Sequence, residues 1–311
     1  MNPEISVLIV NYKTPELVAD CVRSVRRHAG RIPLEIIIVD NESSTRSMQL
    51  LREYCPQTTI IASQDNSGFG RGNNIGFQHA RGRFLFLINS DAVVVGNCIT
   101  VLVDFLKGHP EAAMAGPEVL LPDGSRQTKI CGNTPTLRRL WNDALLLSRL
   151  FPRCRFFQGI HRDHIEHEIT EVGWISGVCM LIRREYYERN RGFNPDFFLY
   201  AEDIDLCLRI RLDGGAVYHV RTACVIHQLG ASSTDKEKKI FNSVQQQQNF
   251  LQVLETVFTP REQRRARIIL RIGLYIRLGI AVLLRAAGQG RGEFLAASCR
   301  ARLSALERDF S

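Results

Sequence analysis

The sequence predicts an α/β fold in which an open, mostly parallel sheet carries helices on its faces. Three observations lead to this prediction. Short runs of apolar or β-branched residues alternate with segments whose apolar residues recur at helical spacing. The run Phe84–Ile88 is apolar throughout, as expected for a strand that is buried on both faces. Polar residues follow several of these runs, and ligands of open α/β sheets bind at the carboxyl ends of the strands.

The first 80 residues contain three predicted strands, at 5–10, 34–39 and 58–62. Between the first two strands, Thr14 and Pro15 occupy the N-cap and first helical position of a predicted helix. The glycine-rich stretch 65–76 leads into a helix that ends near residue 80. Its glycines do not fit the G-x-G-x-x-G fingerprint, and the stretch follows the third strand, so the sequence argues against a NAD-binding domain.

The rest of the first 230 residues continues the alternation of strands and helices. The predicted elements are a helix over 97–108, a strand over 112–116, a hairpin turn at 120–125, a helix over 137–150, a glycine-punctuated turn and strand over 173–182, a helix that begins near residue 202, and strands at 216–220 and 223–226. His161, His164 and His167 lie in a polar segment, which is typical of solvated surface, and we assign them no metal.

The composition is typical of a globular cytosolic protein. Hydrophobic residues make up 45% of the 311 positions, enough for a sizeable core. The nine cysteines form neither a C-x-x-C pair nor a zinc-type cluster, which favours free thiols in a reducing compartment. The first residues pass directly into a strand pattern, so we expect no signal peptide.

The positive charge is concentrated in the C-terminal tail. Residues 261–311 carry 11 Arg and 4 acidic residues, whereas the first 260 residues carry 29 basic and 28 acidic ones. The apolar stretch 267–285 contains Arg271 and Arg277, each of which would cost about 3 kcal/mol at the centre of a bilayer, so a transmembrane helix is not expected. A basic amphipathic helix on an anionic membrane surface is one prediction, and packing on the catalytic body is the alternative. The tail lacks interleaved aromatic residues, which argues against nucleic acid as a partner.

Two groups of carboxylates are candidates for chemistry. Asp91 follows the central strand, where it could hold a divalent cation against a diphosphate, or it could simply cap the next helix. Asp203 lies in the predicted first turn of a helix, where the helix dipole should keep it ionised as a general base. The alternative is that Glu202, Asp203 and Asp205 only stabilise the start of that helix.

Several motifs together resemble the family 2 glycosyltransferases of the GT-A fold, in particular the bacterial rhamnosyltransferase-like branch. The GT-A fold is a Rossmann-like open mixed sheet with flanking helices, and a C-terminal helical tail would follow it here. The matching segments are 6–12, 38–41, 66–69 with 73–76, 89–91, Gly177 within 174–181, 202–206, and His227.

The resemblance implies a role for each matched residue. It places Asn11, Tyr12, Asp40, Asn66, Arg71, Asn73 and Ser90 at the nucleotide sugar, with Asp40 accepting from the base. It makes Asp91 a ligand of Mg²⁺ or Mn²⁺ and His227 a second ligand, although a histidine after a strand can also be purely structural. The acceptor site would contain Trp174, Gly177 and Glu202, and Asp203 would be the base. The family usually has an acid where this chain has Asn89, which leaves a single carboxylate for the metal.

These roles define the predicted activity and domains. Residues 1–230 would form the catalytic domain, with a nucleotide-sugar half (1–116) and an acceptor half (117–230), and residues 231–311 a helical extension. The predicted enzyme is an inverting hexosyltransferase that moves a sugar, with L-rhamnose as one candidate, from a dTDP-, UDP- or GDP-linked donor to a lipid-linked or polysaccharide acceptor. It would work at the cytoplasmic face of a bacterial inner membrane. The alternatives are a nucleotidyltransferase and an inactive sugar-nucleotide-binding subunit.

Overall fold

The computed structural model describes residues 3–228 and 236–308, which form two compact units. Unit 1 consists of the described residues of Met1–Gly132 and Ile165–Gly230. Unit 2 consists of those of Asn133–His164 and Ala231–Ser311. The segment 133–164, which the sequence analysis assigned to the catalytic domain, thus packs with the C-terminal helices.

Unit 1 is built on one open mixed sheet. The strands of the described residues are β1 (Ile5–Asn11), β2 (Leu34–Asp40), β3 (Thr59–Ala62), β4 (Phe84–Ile88), β5 (Ala92–Val95), β6 (Ala112–Leu120), β7 (Cys131–Gly132), β8 (Ile169–Val172), β9 (Trp174–Ile175), β10 (Cys179–Arg183) and β11 (Ala216–His227). Within the described residues, the main sheet has the order β3-β2-β1-β4-β10-β6-β11-β5, with β8 also pairing with β11, and β7 and β9 form a small separate sheet. The four strands β1 to β4 are parallel, whereas β10 and β5 run antiparallel to their neighbours.

Helices flank this sheet and make up most of unit 2. In unit 1 they are α1 (Pro15–His28), α2 (Thr45–Tyr54), α3 (Gly68–Phe77), α4 (Cys98–Gly108), α7 (Arg184–Arg189) and α8 (Glu202–Leu212). In unit 2 they are α5 (Leu137–Ala144), α6 (Leu147–Leu150), a 3₁₀ helix (Arg155–Phe157), α9 (Lys236–Val257), α10 (Pro260–Ala286) and α11 (Arg291–Arg308). The predicted α/β fold with a helical C-terminal region is confirmed.

The central strand β4 is buried along its whole length, as its composition predicts. All five side chains are buried, and β4 pairs parallel with β1 and antiparallel with β10. Asp91 lies in the turn between β4 and β5, and the next helix begins only at Cys98. The alternative that Asp91 caps this helix is therefore wrong.

Some elements differ from the sequence prediction for identifiable reasons. Helix α2 was not predicted, because only two of its side chains, Ser47 and Leu51, are buried and its apolar periodicity is weak. The predicted strands at 216–220 and 223–226 are one strand, β11, whose register shifts between Val220 and Cys224. The predicted helix over 137–150 is interrupted at Leu146, which has a φ of 61°.

Unit 2 has its own core, to which α10 contributes. Its buried residues include Leu254, Ile269, Leu274 and Leu306. Pro260 ends the preceding helix, as predicted, and starts α10 behind a capping box formed by Thr259 and Glu262.

Arg277, one of the two arginines in the apolar stretch of α10, is anchored inside unit 2. Its guanidinium donates to the Asp143 carbonyl oxygen at 2.7 Å and to that of Ala144 at 3.3 Å. Within residues 3–228 and 236–308, no helix is both long and apolar enough to span a bilayer.

Candidate active site

The predicted site residues of unit 1 gather at one edge of the main sheet. β1 and β2 end there side by side, with Asn11 in register with Asp40. β4 ends there, and β5 starts from the same edge after the Asn89–Asp91 turn. β11 also ends at this edge, because its last residue, His227, pairs with Ala92. The parallel strands therefore bring their carboxyl ends together, as the sequence predicted.

Asn11 and Asp40 form a buried pair under the ends of β1 and β2. The Asn11 amide Nδ2 donates to Asp40 Oδ1 at 2.8 Å, and the Ser43 backbone N–H donates to Asp40 Oδ2 at 3.1 Å. Both residues are fully buried. In this structure the Asp40 carboxylate thus orders the strand ends, and its contact with a base stays a prediction.

Thr14 links this pair to Ser90, a connection that the sequence analysis missed. It occupies the N-cap position of α1, as predicted, but its side chain makes no capping bond. Its hydroxyl lies 3.2 Å from Asn11 Oδ1 and 3.3 Å from Ser90 Oγ, on the turn that carries Asp91. A continuous polar row therefore runs from Asp40 to the residue beside Asp91.

Asn66 lies beside the start of α3, where side chains and backbone are closely interlocked. The Ser67 hydroxyl donates to Asn41 Oδ1 at 2.9 Å, and Asn41 Nδ2 donates to the Gly68 carbonyl at 3.0 Å. Gly68 has a φ of +77°, and a Cβ there would lie 2.1 Å from the Phe198 carbonyl oxygen. Only glycine fits this close approach. Asn66 itself is exposed and accepts from the Gly68 N–H at 3.3 Å.

Helix α3 also anchors the 193–201 loop, which precedes the acidic helix α8. Asn74 exchanges two hydrogen bonds with the Phe193 backbone, at 2.8 and 2.9 Å. Arg71 Nε donates to the Pro195 carbonyl at 2.7 Å. Asn73 is buried and donates to the Phe69 carbonyl within its own helix. Arg71 and Asn74 therefore position this loop, and the donor contacts of Arg71 and Asn73 stay predictions.

Asp91 and His227 form a direct pair, to which Gln127 adds a third member. His227 Nε2 lies 3.0 Å from Asp91 Oδ1, and His227 Nδ1 lies 2.8 Å from Gln127 Oε1. The histidine side chain is only 9% exposed and the aspartate 18%. Gln127 follows the hairpin turn after β6, and the sequence analysis did not single it out.

The chemistry of this pair fits a divalent cation. Since Gln127 Oε1 only accepts, it selects the ring form with hydrogen on Nδ1. His227 Nε2 then faces a carboxylate oxygen at 3.0 Å, and either a hydrogen on Nε2 or a bound cation must lie between these two atoms. Among the described residues no cluster of three or more His, Cys, Asp or Glu side chains could hold a metal. A cation here would take its remaining ligands from phosphate and water, as Mg²⁺ commonly does.

A pair of adjacent carboxylates, Glu202 and Asp203, lies at the start of α8. Asp203 accepts from the Gly177 backbone N–H at 2.8 Å and from the Ile204 N–H at 2.8 Å, one on each oxygen. Next to Gly177, the Val178 carbonyl accepts from the Asn89 N–H at 2.9 Å. The consecutive residues 177 and 178 therefore connect Asp203 to the turn that carries Asp91.

Burial controls the acidity of both carboxylates. Burial, and then the neighbouring Asp203 charge, raise the pKa of Glu202 to about 8. Its Oε2 is buried without a hydrogen-bond partner among the described residues. Burial also raises the pKa of Asp203. The hydrogen bonds from the Gly177 and Ile204 N–H groups lower this pKa, but burial has the larger effect. The desolvation of Asp203 opposes the helix dipole, from which the sequence alone predicts an ionised carboxylate. A raised pKa makes Asp203 a stronger base at neutral pH.

We expect Glu202 to make stability depend on pH. The folded protein keeps this proton up to about pH 8, whereas the unfolded chain releases it near the ordinary pKa of 4.5. The folded state thus binds more protons in this window, and the free energy of unfolding should fall as the pH rises through it. Urea unfolding of the wild type and Glu202→Gln across this range tests the prediction, and the variant should show a flatter dependence. An equal slope in both proteins would contradict it.

Asp205 holds the base of the 193–201 loop through Arg209. Asp205 Oδ2 pairs with Arg209 at 2.8 Å, and Arg209 donates to the Gly192 carbonyl at 2.9 Å and to that of Asn190. Tyr200 and Ala201, immediately before α8, both have positive φ values of 74° and 71°. Backbone strain of this kind persists where the surroundings impose it, often at functional sites.

The remaining predicted residues differ in exposure. Tyr12 is exposed beside Asn11, with the Lys13 ammonium 5.1 Å from its ring centre. A Cβ on Gly177 would lie 3.0 Å from the Phe69 ring, so this position admits no larger side chain without a shift. Trp174 is buried in the main core, where its ring is not available to a ligand. Its acceptor role stays a prediction without support from this geometry.

The fold of unit 1 is the GT-A fold. The chain resembles the mannosyltransferase PcManGT from Pyrobaculum calidifontis, whose structure contains GDP-Man and Mn²⁺, with a TM-score of 0.61 at 14% identity, over 100% of this chain and 88% of that one. It also resembles GalNAc-T7 solved with UDP, GalNAc and Mn²⁺, with a TM-score of 0.56 at 17% identity, over 82% of this chain and 48% of that one.

The family follows from the sequence comparison. The model of glycosyl transferase family 2 matches residues 6–190, more than half of the chain, which therefore belongs to this family and is a glycosyltransferase. N-acetylglucosaminyl-diphospho-decaprenol L-rhamnosyltransferase of Mycobacterium tuberculosis is 26% identical over 212 residues, 65% of this chain and 68% of that protein. Rhamnosyltransferase WbbL of Escherichia coli is 25% identical over 209 residues, 62% of this chain and 72% of that protein.

Proposed function

We propose that this glycosyltransferase moves a sugar from a nucleotide donor to a lipid-linked acceptor by a single inverting displacement. The observation that carries the proposal is the meeting, at one sheet edge, of the Asp91–His227 pair with Asp203. The Asp91–His227 pair is suited to hold the leaving diphosphate through a cation, and the Asp203 carboxylate is suited to accept the proton of the attacking hydroxyl. All of the proposed site residues belong to unit 1.

Asp91 and His227 would hold Mg²⁺ or Mn²⁺, which when bound stabilises the negative charge that develops on the leaving diphosphate. Both structural neighbours were crystallised with Mn²⁺, which agrees with this assignment. Asn89 supplies no charge, so the histidine takes the place of a second carboxylate.

Asp203 would take the proton from the acceptor hydroxyl. The Gly177 and Ile204 N–H groups fix the orientation of its carboxylate, so that little ordering is needed when the acceptor arrives. The buried neighbour Glu202 is neutral at pH 7, because its pKa is about 8. A neutral Glu202 leaves the negative charge of the pair on Asp203 and supplies a hydrogen-bond donor at the acceptor end of the site.

The donor would lie along the polar row formed by Asp40, Asn11, Thr14 and Ser90, with Tyr12 exposed beside it. Asn66, which accepts from Asn41 Nδ2 at 3.4 Å, and Arg71 on α3 are further proposed donor contacts. Because two relatives are rhamnosyltransferases, we propose L-rhamnose as the transferred sugar and a diphospho-lipid glycan as the acceptor. dTDP, UDP and GDP remain candidates for the nucleotide, since the two neighbours contain GDP-Man and UDP.

A membrane surface is the proposed location of the acceptor. Helix α10 exposes an apolar stripe of Ile268, Tyr275 and Val282, spaced seven residues apart. Arg264 and Arg285 are exposed near its two ends. This arrangement supports the prediction that the basic helix lies on anionic headgroups.

Gln127 should control how tightly the metal is held. Gln127→Leu removes the acceptor of the His227 Nδ1 hydrogen and frees the ring to turn, so we expect metal affinity to fall by about 10–100-fold. The test is a titration of activity with Mn²⁺. Gln127→Glu, which keeps an acceptor at the same position, is the matched control and should keep the wild-type midpoint or a lower one. Equal midpoints for Gln127→Leu and wild type would contradict the assignment.

A panel of donors tests the proposed reaction. Purified protein is incubated with dTDP-rhamnose, UDP- and GDP-sugars, and nucleoside triphosphates, together with a bacterial lipid extract, and the released product is identified. Release of nucleoside diphosphate from one sugar nucleotide supports the proposal. Pyrophosphate release from a triphosphate would indicate a nucleotidyltransferase, and donor binding without release would indicate an inactive subunit.

A further inference from the structure

Unit 2 exposes a continuous apolar and basic segment at residues 149–156, which we call the basic aromatic loop. All eight of its residues are exposed. Leu150 is 67% exposed, Phe151 50% and Phe156 61%. Large apolar side chains with this exposure normally mark an interaction surface when they lie together.

The aromatic side chains of this loop are in mutual contact. The half-buried Phe157 lies between two of them, with ring centres 5.1 Å from Phe151 and 5.4 Å from Phe156. The Arg138 guanidinium lies over the Phe156 ring at 5.1 Å. The patch therefore consists of contiguous rings with an arginine at its border.

The loop is held in a defined shape at its base. The buried Asn142 donates to the carbonyls of Phe156 and Gln158 at 2.9 and 3.0 Å. Asp143 accepts from the Ser148 hydroxyl at 2.6 Å and from the Ile160 N–H at 2.8 Å. Little ordering is therefore needed before the exposed side chains meet a partner.

The charge of the loop identifies the class of partner. Residues 144–162 contain four arginines and no acidic residue. Three of them are exposed, namely Arg149, Arg153 and Arg155. Within the described residues, none of these three arginines forms an ion pair with a carboxylate. Clustered arginines next to exposed Phe and Leu match an anionic bilayer surface, where rings enter the acyl boundary and guanidinium groups bind phosphate.

We propose that the basic aromatic loop inserts into the surface of an anionic phospholipid membrane and anchors the enzyme there. The inference deepens the proposed function, because it rests on the acceptor being lipid-linked. It differs from the membrane contact of α10 in its residues and in its larger exposed aromatic content. The loop is exposed, its rings are contiguous, its base is held by hydrogen bonds and its charge is positive. All of these observations concern residues of unit 2.

Vesicle flotation of the full-length protein tests the anchor, without donor or acceptor. Vesicles of phosphatidylcholine with about 30% phosphatidylglycerol serve as the probe, and pure phosphatidylcholine is the comparison. We expect binding to the anionic vesicles, weakened about tenfold or more by Leu150→Ser/Phe151→Ser/Phe156→Ser. Arg149→Gln/Arg153→Gln/Arg155→Gln should reduce the preference for anionic lipid and the sensitivity to salt, since the arginines of α10 remain.

Matched single variants locate the contact. Leu212, on α8 in unit 1, is 67% exposed, as is Leu150, and Leu283 on α10 is 71% exposed. Leu150→Ser should weaken binding and Leu212→Ser should not, while Leu283→Ser reports the contribution of α10. Thermal melting by circular dichroism checks that each variant is folded.

Cys154 gives an independent measure of membrane insertion, because it can be labelled selectively. The structure describes all nine cysteines, and Cys154 is the one that is exposed. An environment-sensitive fluorophore on Cys154 should shift to the blue when anionic vesicles are added. Unchanged emission, or full binding by the folded triple apolar variant, would overturn the proposal. Since the vesicle assay involves no sugar, either result leaves the proposed transfer reaction to be judged by its own experiment.

Discussion

Asp203→Asn should lower turnover by about 10²–10⁴-fold, the usual contribution of a general base. The substitution preserves the size of the side chain but removes the basic carboxylate, and the amide oxygen that remains can accept from only one of the two backbone N–H groups that Asp203 binds. Donor binding should change little, because the polar row from Asp40 to Ser90 does not include this residue. The measurements are the initial rate with saturating donor and acceptor and the donor Kd by calorimetry.

The control for this variant lies on the same helix. Asp213→Asn alters the C-cap of α8, where the carboxylate pairs with Arg189 at 3.0 Å on the surface. We expect this control to keep the wild-type rate. If Asp203→Asn also kept it, Asp203 would not be the base, and the acids of α8 would have only the structural role that the sequence left open.

Asp91→Asn should lower the rate of metal-dependent transfer at least about 100-fold. The amide keeps the shape of the side chain but lacks the charge that attracts a divalent cation, and it leaves His227 Nε2 without the carboxylate oxygen that would share the cation with it. The effect should appear as weaker Mn²⁺ binding as well as slower turnover, so both are measured. Extra Mn²⁺ should restore part of the activity.

Asp104→Asn is the matched control for Asp91→Asn, because Asp104 is exposed on α4. It should leave Mn²⁺ binding and rate unchanged. Wild-type Mn²⁺ affinity in Asp91→Asn would show that the cation is held elsewhere, and the geometric case for the Asp91–His227 pair would fail.

The fold was predictable from sequence because its strands are strongly apolar. All five side chains of β4 are apolar and buried. An uninterrupted apolar run of this length is typical of a strand that is covered on both faces of a sheet. The gathering of Asn11, Asp40 and Asp91 at one edge follows from parallel strand direction alone. α2 escaped prediction because it buries only one large apolar side chain, Leu51, so its periodicity carries little signal.

The less predictable parts of the site depend on contacts between distant segments. Gln127 contacts His227, which lies 100 positions further along the chain, and the sequence around Gln127 contains no motif that indicates a functional site. The raised pKa values of Glu202 and Asp203 arise from burial, which the sequence does not state. Trp174, which the family resemblance places at the acceptor site, is buried in the core, so its role there stays a prediction.

The two segments that we propose as membrane contacts were predictable only in outline. The excess of arginine after residue 260 is visible in the sequence and led to α10. The exposed rings of Phe151 and Phe156 were not identified, because apolar residues next to a predicted helix are normally assigned to its buried face. Their exposure follows from the break at Leu146 and from the bonds that Asn142 and Asp143 make across the base of the loop.

The most direct test of the central claim is the transfer of labelled sugar into lipid. Wild-type protein, labelled nucleotide sugar and lipid acceptor are incubated with Mn²⁺ or with chelator, and the radioactivity of the organic phase is counted. We predict label in the lipid fraction that requires Mn²⁺ and is lost in Asp203→Asn. Transfer that proceeds undiminished in chelator and in Asp203→Asn would contradict the account of both the metal pair and the base.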